Sequence, residues 1–354
     1  MREFCLAGKH KWLFEKPASE KFSQVLTGNF AMTTATAAIK RIPLTPHFGF
    51  EIQGADLSQK LDADTKQAIN DAWIDGGILL FRGAGRSDEI HMRLSEVFGQ
   101  MEPAATADMN RPDNPYLMTL LYDPEDTKPT FQTNYVVDGI VRAGWLGWHW
   151  DQSFMPTIVR GAVLRMVEPA ARMGETGLID AISAYDRLSP SQKQRIEGLE
   201  VVYEFNPDFC TGQFGFPKDI QKQARPGGST LGKTYDFPPV VHPLVITQPE
   251  TGRKVLKLSP MHARYVLGMD KAQSDALLEE IAEHLVNPEF AYFHQWDQDD
   301  MVVWDNWRVI HSANGVPLEC RRHAVRTTIM GDYKVGRYLD PNLDRDRKIK
   351  RIID

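Results

Sequence analysis

Residues Asp299–Asp332 read DDMVVWDNWRVIHSANGVPLECRRHAVRTTIMGD. Two apolar runs rich in β-branched residues, DMVVWDN and AVRTTIMGD, lie either side of a turn-rich centre that carries His311. Runs of this kind, bounded by Asp, Asn, Gly and Pro, read as short strands. On the second, period two puts Arg322, Ala324, Arg326, Thr328 and Met330 on one face and His323 on the other. Two arginines on an otherwise small or apolar face are costly to bury unless they meet anions; an edge strand would instead show both to water.

The same texture runs back to about Tyr116. PTFQTNYVVDGIVRAGW, RGAVLRMVE, PLVITQP and RKVLKLSP are strand-like, and ETGR at Glu250–Arg253 is a turn. Upstream, from Ile42, the pattern is strand, helix, strand, helix. LDADTKQAINDAWIDGG places Ile69, Ala72 and Trp73 at helical spacing, with Asp62 or Asp64 as cap and Gly76-Gly77 as stop. GILLFRG follows as a buried strand. SDEIHMRLSEVFG repeats the helix pattern behind Ser87, with Ile90, Leu94, Val97 and Phe98 as its stripe. AQSDALLEEIAEHLV is a third helix, and ISAYDRLSPSQKQRIEGL reads as two pieces around Pro190. Many short strands with a few covering helices predict a mixed α+β, mainly β fold, a sandwich or jelly roll rather than a doubly wound sheet.

The expected organisation is one domain over residues 39–340, with an N-terminal extension over 1–38, a candidate for disorder, and a C-terminal tail over 341–354. Residues 207–239, rich in Gly, Pro, Lys and Gln, read as an insertion or lid. Met32 opens a second plausible start, and Glu3, Glu15 and Glu20 argue against an acid-poor targeting peptide.

The 354-residue chain has a formal charge of −6 and no basic block, which argues against nucleic acid as a partner. Its 3 cysteines, Cys5, Cys210 and Cys320, are far apart and form no CxxC pair, so neither a zinc–thiolate site nor a disulfide framework is expected. A reducing cytoplasm is the expected location. No apolar run is long enough for a membrane span.

GWHWDQSFMP at Gly147–Pro156 raises the question of chemistry. In an extended strand, i and i+2 point to the same side, so His149 and Asp151 project together while Trp150 turns away. Two histidines and one carboxylate on one face of iron leave positions open for co-substrate and dioxygen. One HxD tripeptide is equally readable as a packed histidine and a loop-capping aspartate.

WHWD, GET at Gly174–Thr176, WDNWRVIH at Trp304–His311, and Arg322 with Arg326 occur in that order. Together they resemble the TauD/TfdA family of Fe(II)- and 2-oxoglutarate-dependent dioxygenases, whose pattern is WHxD, a GGDT-like turn, WDNxxxxH, an RR segment and a final arginine. Thr176 lies 27 residues after His149, and Arg322 and Arg326 lie 11 and 15 after His311, as the family spacing requires. HPLVITQPETGRKVLKLSP and HLVNPEF agree with it, so the likeness runs from about Ile42 to Tyr333.

The resemblance implies a double-stranded β-helix (jelly roll) with extra helices. It implies iron(II) on His149, Asp151 and His311, which make up the catalytic centre. It also implies 2-oxoglutarate with its far carboxylate on Arg322 and Thr176, and Arg326 nearer the open iron face, serving co-substrate or an anionic substrate. Consumption of dioxygen and 2-oxoglutarate would give succinate and carbon dioxide while a substrate C–H bond is hydroxylated, with cleavage where an adjacent heteroatom lets the product collapse. With Asp151 present, halogenation is not expected. Trp304, Asp305 and Asn306 are expected to fix the strand around His311. Homo-oligomers, dimers or tetramers, are common in the family.

On the substrate side the chain departs from taurine-type members. QMEPAATAD follows Phe98-Gly99 where those have a histidine, and Trp145 replaces a polar residue. Trp145, Trp148 and Phe154 crowd the site and FQTNYVVDG, with Asn134 and Tyr135, is expected over it. Such walls favour a small acid with an apolar or aromatic body, its acidic end on Arg326. Two rivals remain open. A metal-binding jelly roll without oxygenase activity has no use for Thr176, Arg322 and Arg326 together; a His–Asp hydrolase would need a nucleophile, and no GxSxG elbow occurs.

Overall fold

Asp62 starts the first helix, α1 (Ala63–Gly76), by accepting the Thr65 N–H at 2.7 Å. Gly77 ends it at φ +75°, donating to the Trp73 carbonyl; a β-carbon there would also meet Arg308 Nε at 2.8 Å. Ser87 caps α2 (Asp88–Ser95), which stops before the Val97 and Phe98 of its predicted stripe. Pro190 divides α3 (Ala181–Arg187) from α4 (Pro190–Ile196), whose Ser189 and Gln192 make a capping box. α5 (Lys271–Leu285) buries Leu277, Ile281 and Leu285. No helix among the described residues is long and apolar enough to cross a membrane.

The computed structural model describes residues 39–106, 109–126, 133–224 and 235–347, with the backbone of 350–351. The extension expected over 1–38 lies outside them, as do 225–234 of the insertion and most of the tail beyond 347.

The described fold is mainly β. One sheet runs Lys40–Pro43, Phe50–Gln53, Ile78–Phe81, Met301–Asp305, Gly161–Glu168, Arg322–Ile329 and Met101–Glu102, with Met118–Tyr122 also on Arg322–Ile329. Its pairings are antiparallel except the parallel one between Phe50–Gln53 and Ile78–Phe81. A second sheet runs Tyr292–His294, Thr176–Asp180, Val309–Ala313 and Leu146–His149. The two face each other across a shared core: Ala162, Leu164, Trp304 and Ala324 of the first pack with Leu178 and Val309 of the second. The first sheet's opposite face buries Val163, Met301 and Val303 under Ile69 and Trp73 of α1 and Leu94 of α2. Each such aliphatic side chain, removed from water, contributes about 1.5–3 kcal/mol.

Two smaller features frame the site. Asn134–Val137 and Ile140–Ala143 form a hairpin whose Asp138-Gly139 turn has φ +51° and +73° at its two central residues, the primed geometry that matches strand twist. The 207–239 segment contributes the short helix Phe209–Thr211, and Gln221–Gln223 adds a strand to that hairpin.

Candidate metal and substrate site

Strand register assembles the centre. Leu146–His149 and Val309–Ala313 pair antiparallel with His149 opposite His311, so both rings stand on one face, centroids 4.2 Å apart. Asp151 lies just past the first strand. Its Oδ1 is 3.9 Å from His149 Nε2 and 3.6 Å from His311 Nε2, and ligand atoms of the three buried residues all lie within 4.8 Å of one another.

The remaining polar atoms are arranged so that His149 and Asp151 stay available, while His311 Nδ1 is buried with no hydrogen-bond partner among the described residues. His149 Nδ1 is 2.8 Å from the Gly147 carbonyl. Only a protonated Nδ1 can bond there, so the Nε2 lone pair is left for a metal. Asp151 Oδ2 accepts from the Trp304 indole at 3.2 Å and from Arg326 Nη2 at 2.6 Å, which leaves Oδ1 between the imidazoles. Burial would push the Asp151 carboxyl up, but Arg326, His311 and His149 together outweigh it and hold the carboxyl well below its usual range. Burial also lowers both imidazoles, His311 far below the ordinary value. A carboxylate and two neutral imidazoles at this spacing fit a divalent transition metal, because each ligand is already in its binding protonation state.

Asn306 clamps the aspartate. Its Oδ1 accepts the Asp151 N–H at 2.7 Å, while its Nδ2 donates to the carbonyls of Asp151 and Val159. The WDN residues therefore secure Asp151 as much as His311, beside which the Trp304 ring also packs at 4.7 Å. Below them Arg160 and Gln248 bond to Asp305, and the buried Lys257 donates to the Asn306 carbonyl.

A cavity of about 150 Å³ opens on His149, Asp151 and Arg326. Its walls are mostly apolar: Met109, Met118, Phe154, Phe205, Phe209 and Met261. Gln152, Asn206, His262 and Thr328 supply polar edges. Gln152 holds φ +55°, a conformation a non-glycine residue adopts at a cost, and its side chain lines this space. His262 Nδ1 accepts the Asn206 N–H at 3.0 Å, so the ring's proton sits on Nε2, and burial with His149 nearby keeps the ring neutral.

Of the residues expected to meet substrate, Phe154 and Arg326 line the cavity. Tyr135 and Trp145 stand behind it, each packed on Phe209 with centroids 5.3 and 6.1 Å away; the Tyr135 hydroxyl accepts the Phe209 N–H. Trp145 also lines a separate surface groove with Trp148, while Asn134 is buried at the start of its hairpin. Thr176 and Arg322 are not in the cavity wall. Thr176 pairs with Ala313, and Arg322 borders a cavity of about 30 Å³ with Ala313, Gly174 and Tyr122. The Arg322 guanidinium has no hydrogen-bond or ion-pair partner among the described residues, and burial lowers it to about 10.

Gln152, Phe205, Asn206, Met261 and His262 were not singled out by sequence. Only Gln152 adjoins a motif; the rest arrive from irregular segments with no diagnostic spacing.

Two imidazoles and a carboxylate beside a largely apolar cavity define a non-haem metal protein with room for an organic ligand. A family model described as taurine catabolism dioxygenase TauD, TfdA family, matches residues 40–328. The chain belongs to this family. It is 28% identical over 291 residues to an (S)-phenoxypropionate/alpha-ketoglutarate-dioxygenase of Sphingobium herbicidovorans, covering 82% of this chain and 94% of that one. It is 29% identical over 302 residues to an alpha-ketoglutarate-dependent 2,4-dichlorophenoxyacetate dioxygenase of Cupriavidus pinatubonensis, covering 82% and 97%. A crystal structure of a taurine dioxygenase from Burkholderia xenovorans superposes with a TM-score of 0.65 at 25% identity, covering 90% of this chain and 95% of that one.

Proposed function

We propose that this protein is an Fe(II)- and 2-oxoglutarate-dependent dioxygenase on a double-stranded β-helix core, hydroxylating a small organic acid with an apolar or aromatic body. The observation that carries the reading is the convergence of His149 Nε2, His311 Nε2 and Asp151 Oδ1 beneath the cavity that Arg326 shares.

Iron(II) held there would supply the activation of dioxygen at the expense of 2-oxoglutarate, the oxidation of a C–H bond being the gain. The chain's own work is placement. Trp304 and Arg326 hold Asp151 Oδ2 and leave Oδ1 to ligate; Asn306 fixes the backbone that carries it. Arg322, a cation with no partner among the described residues, and Thr176 receive the far carboxylate of 2-oxoglutarate; a guanidinium suits that because its fork meets both oxygens. Phe154, Phe205 and Phe209 enclose the substrate body and exclude water. Arg326 keeps N–H groups beyond its bond to Asp151 for an anionic end, and His262 offers an uncharged Nε2–H to an acceptor. The relatives that act on phenoxy acids support this substrate class. The described part of the 207–239 segment, which supplies Phe209, serves as a lid. A metal-binding protein without oxygenase activity would have no use for a buried Arg322 that has no partner among the described residues. The same reading includes a homo-oligomer in a reducing cytoplasm.

The test is succinate release from protein supplied with Fe(II), ascorbate and 2-oxoglutarate, screened over aryloxyalkanoates, alkylsulfonates, sulfate esters and modified amino acids. Turnover is expected with an aryloxyalkanoate, and Arg322→Ala should raise the KM for 2-oxoglutarate about 10- to 100-fold. Failure of 2-oxoglutarate to bind the metal-loaded protein, or to alter its charge-transfer absorption, would end the reading.

A further inference from the structure

The Thr176 hydroxyl accepts a hydrogen bond from Trp296 Nε1 at 3.1 Å. An indole N–H only donates, so the direction of this bond is fixed. Oγ1 is therefore the acceptor, and the hydroxyl proton must find another partner. Thr176 is 4% exposed, and no acceptor for that proton occurs among the described residues. A buried hydroxyl with its proton unplaced calls for an acceptor from outside the chain.

Trp296 is itself held in place. Its ring meets His294 edge-on, centroids 4.5 Å apart at 85°. His294 bonds to the Tyr292 hydroxyl through Nδ1 at 3.0 Å, and its Nε2 lies 3.2 Å from Asp300 Oδ2 without hydrogen-bond geometry. Asp300 in turn accepts from Arg82 Nη1 at 2.6 Å and from the N–H groups of Gly83 and Asp297. Tyr292–His294 pairs with the strand that carries Thr176, with His294 opposite Thr176. Both partners of the Trp296–Thr176 bond are thus tied to the same pair of strands.

We propose that Trp296 is a positioning residue for the co-substrate: by donating to Thr176 Oγ1 it turns the hydroxyl proton toward the far carboxylate that Arg322 receives. The inference rests on the reading of Thr176 and Arg322 as the 2-oxoglutarate subsite. It assigns Trp296 no contact with the reacting atoms. A freely rotating hydroxyl would spend part of its time pointing elsewhere; with Oγ1 occupied by the indole, fewer orientations remain.

The experiment compares two keto acids on metal-loaded protein, 2-oxoglutarate and 2-oxobutyrate, which keeps the chelating end and lacks the far carboxylate. Trp296→Phe is expected to weaken 2-oxoglutarate binding about 3- to 10-fold and leave 2-oxobutyrate binding unchanged. In a Thr176→Val background the same substitution should add nothing, because its effect passes through the hydroxyl. Wild type supplies a second readout that needs no tryptophan variant. Among the indole N–H resonances of the 8 tryptophans, in protein loaded with Zn(II), the one displaced by Thr176→Val should move on adding 2-oxoglutarate and stay on adding 2-oxobutyrate. Equal losses for both keto acids, additive losses in the double variant, or an indole resonance indifferent to 2-oxoglutarate would each overturn the proposal. Failure of wild type to bind 2-oxoglutarate at all would instead remove the reading beneath it.

Discussion

The metal end of the site and the substrate end are built by different means. His149 and His311 face each other across one antiparallel pair of strands, and Asp151, two residues on, is pinned by Trp304, Arg326 and Asn306. The substrate end draws Met109, Phe205, Phe209, Met261 and His262 from connections between strands, or from the short helix of the insertion. Sheet register fixes the two imidazoles of the first relative to each other. Connections tolerate exchange of side chains, so the second is where specificity can change without disturbing the first.

The strongest way to break this contrast is at Asp151. Asp151→Ala should lower affinity for a divalent metal about 100-fold or more and abolish succinate formation, measured by titration with Co(II) or Fe(II) under anaerobic conditions. Its removal also frees Arg326, so a variant that keeps tight metal binding would show that the two imidazoles alone define the centre.

Asn306→Ala sharpens the same point without touching a ligand. It deletes the acceptor for the Asp151 N–H and the donor to two carbonyls. Metal affinity should fall about 10- to 100-fold while binding of 2-oxoglutarate to metal-saturated protein changes little. Equal losses in both would mean that the turn, rather than the aspartate, had been disturbed.

Legibility in the sequence divides along the same line. His149 and Asp151 are two apart on an extended segment, a pair that alone reads equally as a packed histidine and a capping aspartate; the metal end became legible through the resemblance of the spaced motifs, with His311, Arg322 and Arg326, to the TauD/TfdA family. α1 and α2 were legible because caps act on their immediate neighbours; the Asp138-Gly139 hairpin was not, its two strands having been read as one strand-like run and a covering segment. The bond from Arg326 to Asp151 was not, since strand period gives the face of Arg326 but not the depth at which it meets another strand. The Asn306 clamp was missed for the same reason: it joins residues 155 positions apart. Trp145 and Tyr135 were read as walls because aromatic residues near a motif look alike in sequence, whether they line a cavity or stand one layer behind Phe209.

A smaller effect probes the substrate end. His262→Phe removes the Nε2–H and the acceptor for Asn206 while keeping a ring of similar size. With an aryloxyalkanoate substrate, KM should rise about 3- to 10-fold, and metal and 2-oxoglutarate affinities should hold. Because His262 is neutral through the physiological range, this KM effect should not vary between pH 6 and 8. A loss that grows below pH 7 would show that the ring acts as a cation.

Glu102 gives the smallest effect and tests whether the substrate end carries stored cost. It lies opposite Thr328, which lines the cavity, so both side chains share the interior face of the sheet. Burial raises its carboxyl to about 7, and it has no hydrogen-bond or ion-pair partner among the described residues. In the unfolded chain the group loses its proton near pH ~4.3, whereas the folded protein retains it to about 7. Its contribution to stability is therefore fully present below the unfolded value and is lost as pH rises through the folded one. Glu102→Gln removes that dependence. Its Tm should exceed that of wild type by a few degrees at pH 8, and the gap should close toward pH 5. A gap that is constant across this range would mean that the carboxyl is ionised throughout and solvated, and that the cavity face imposes no cost on it.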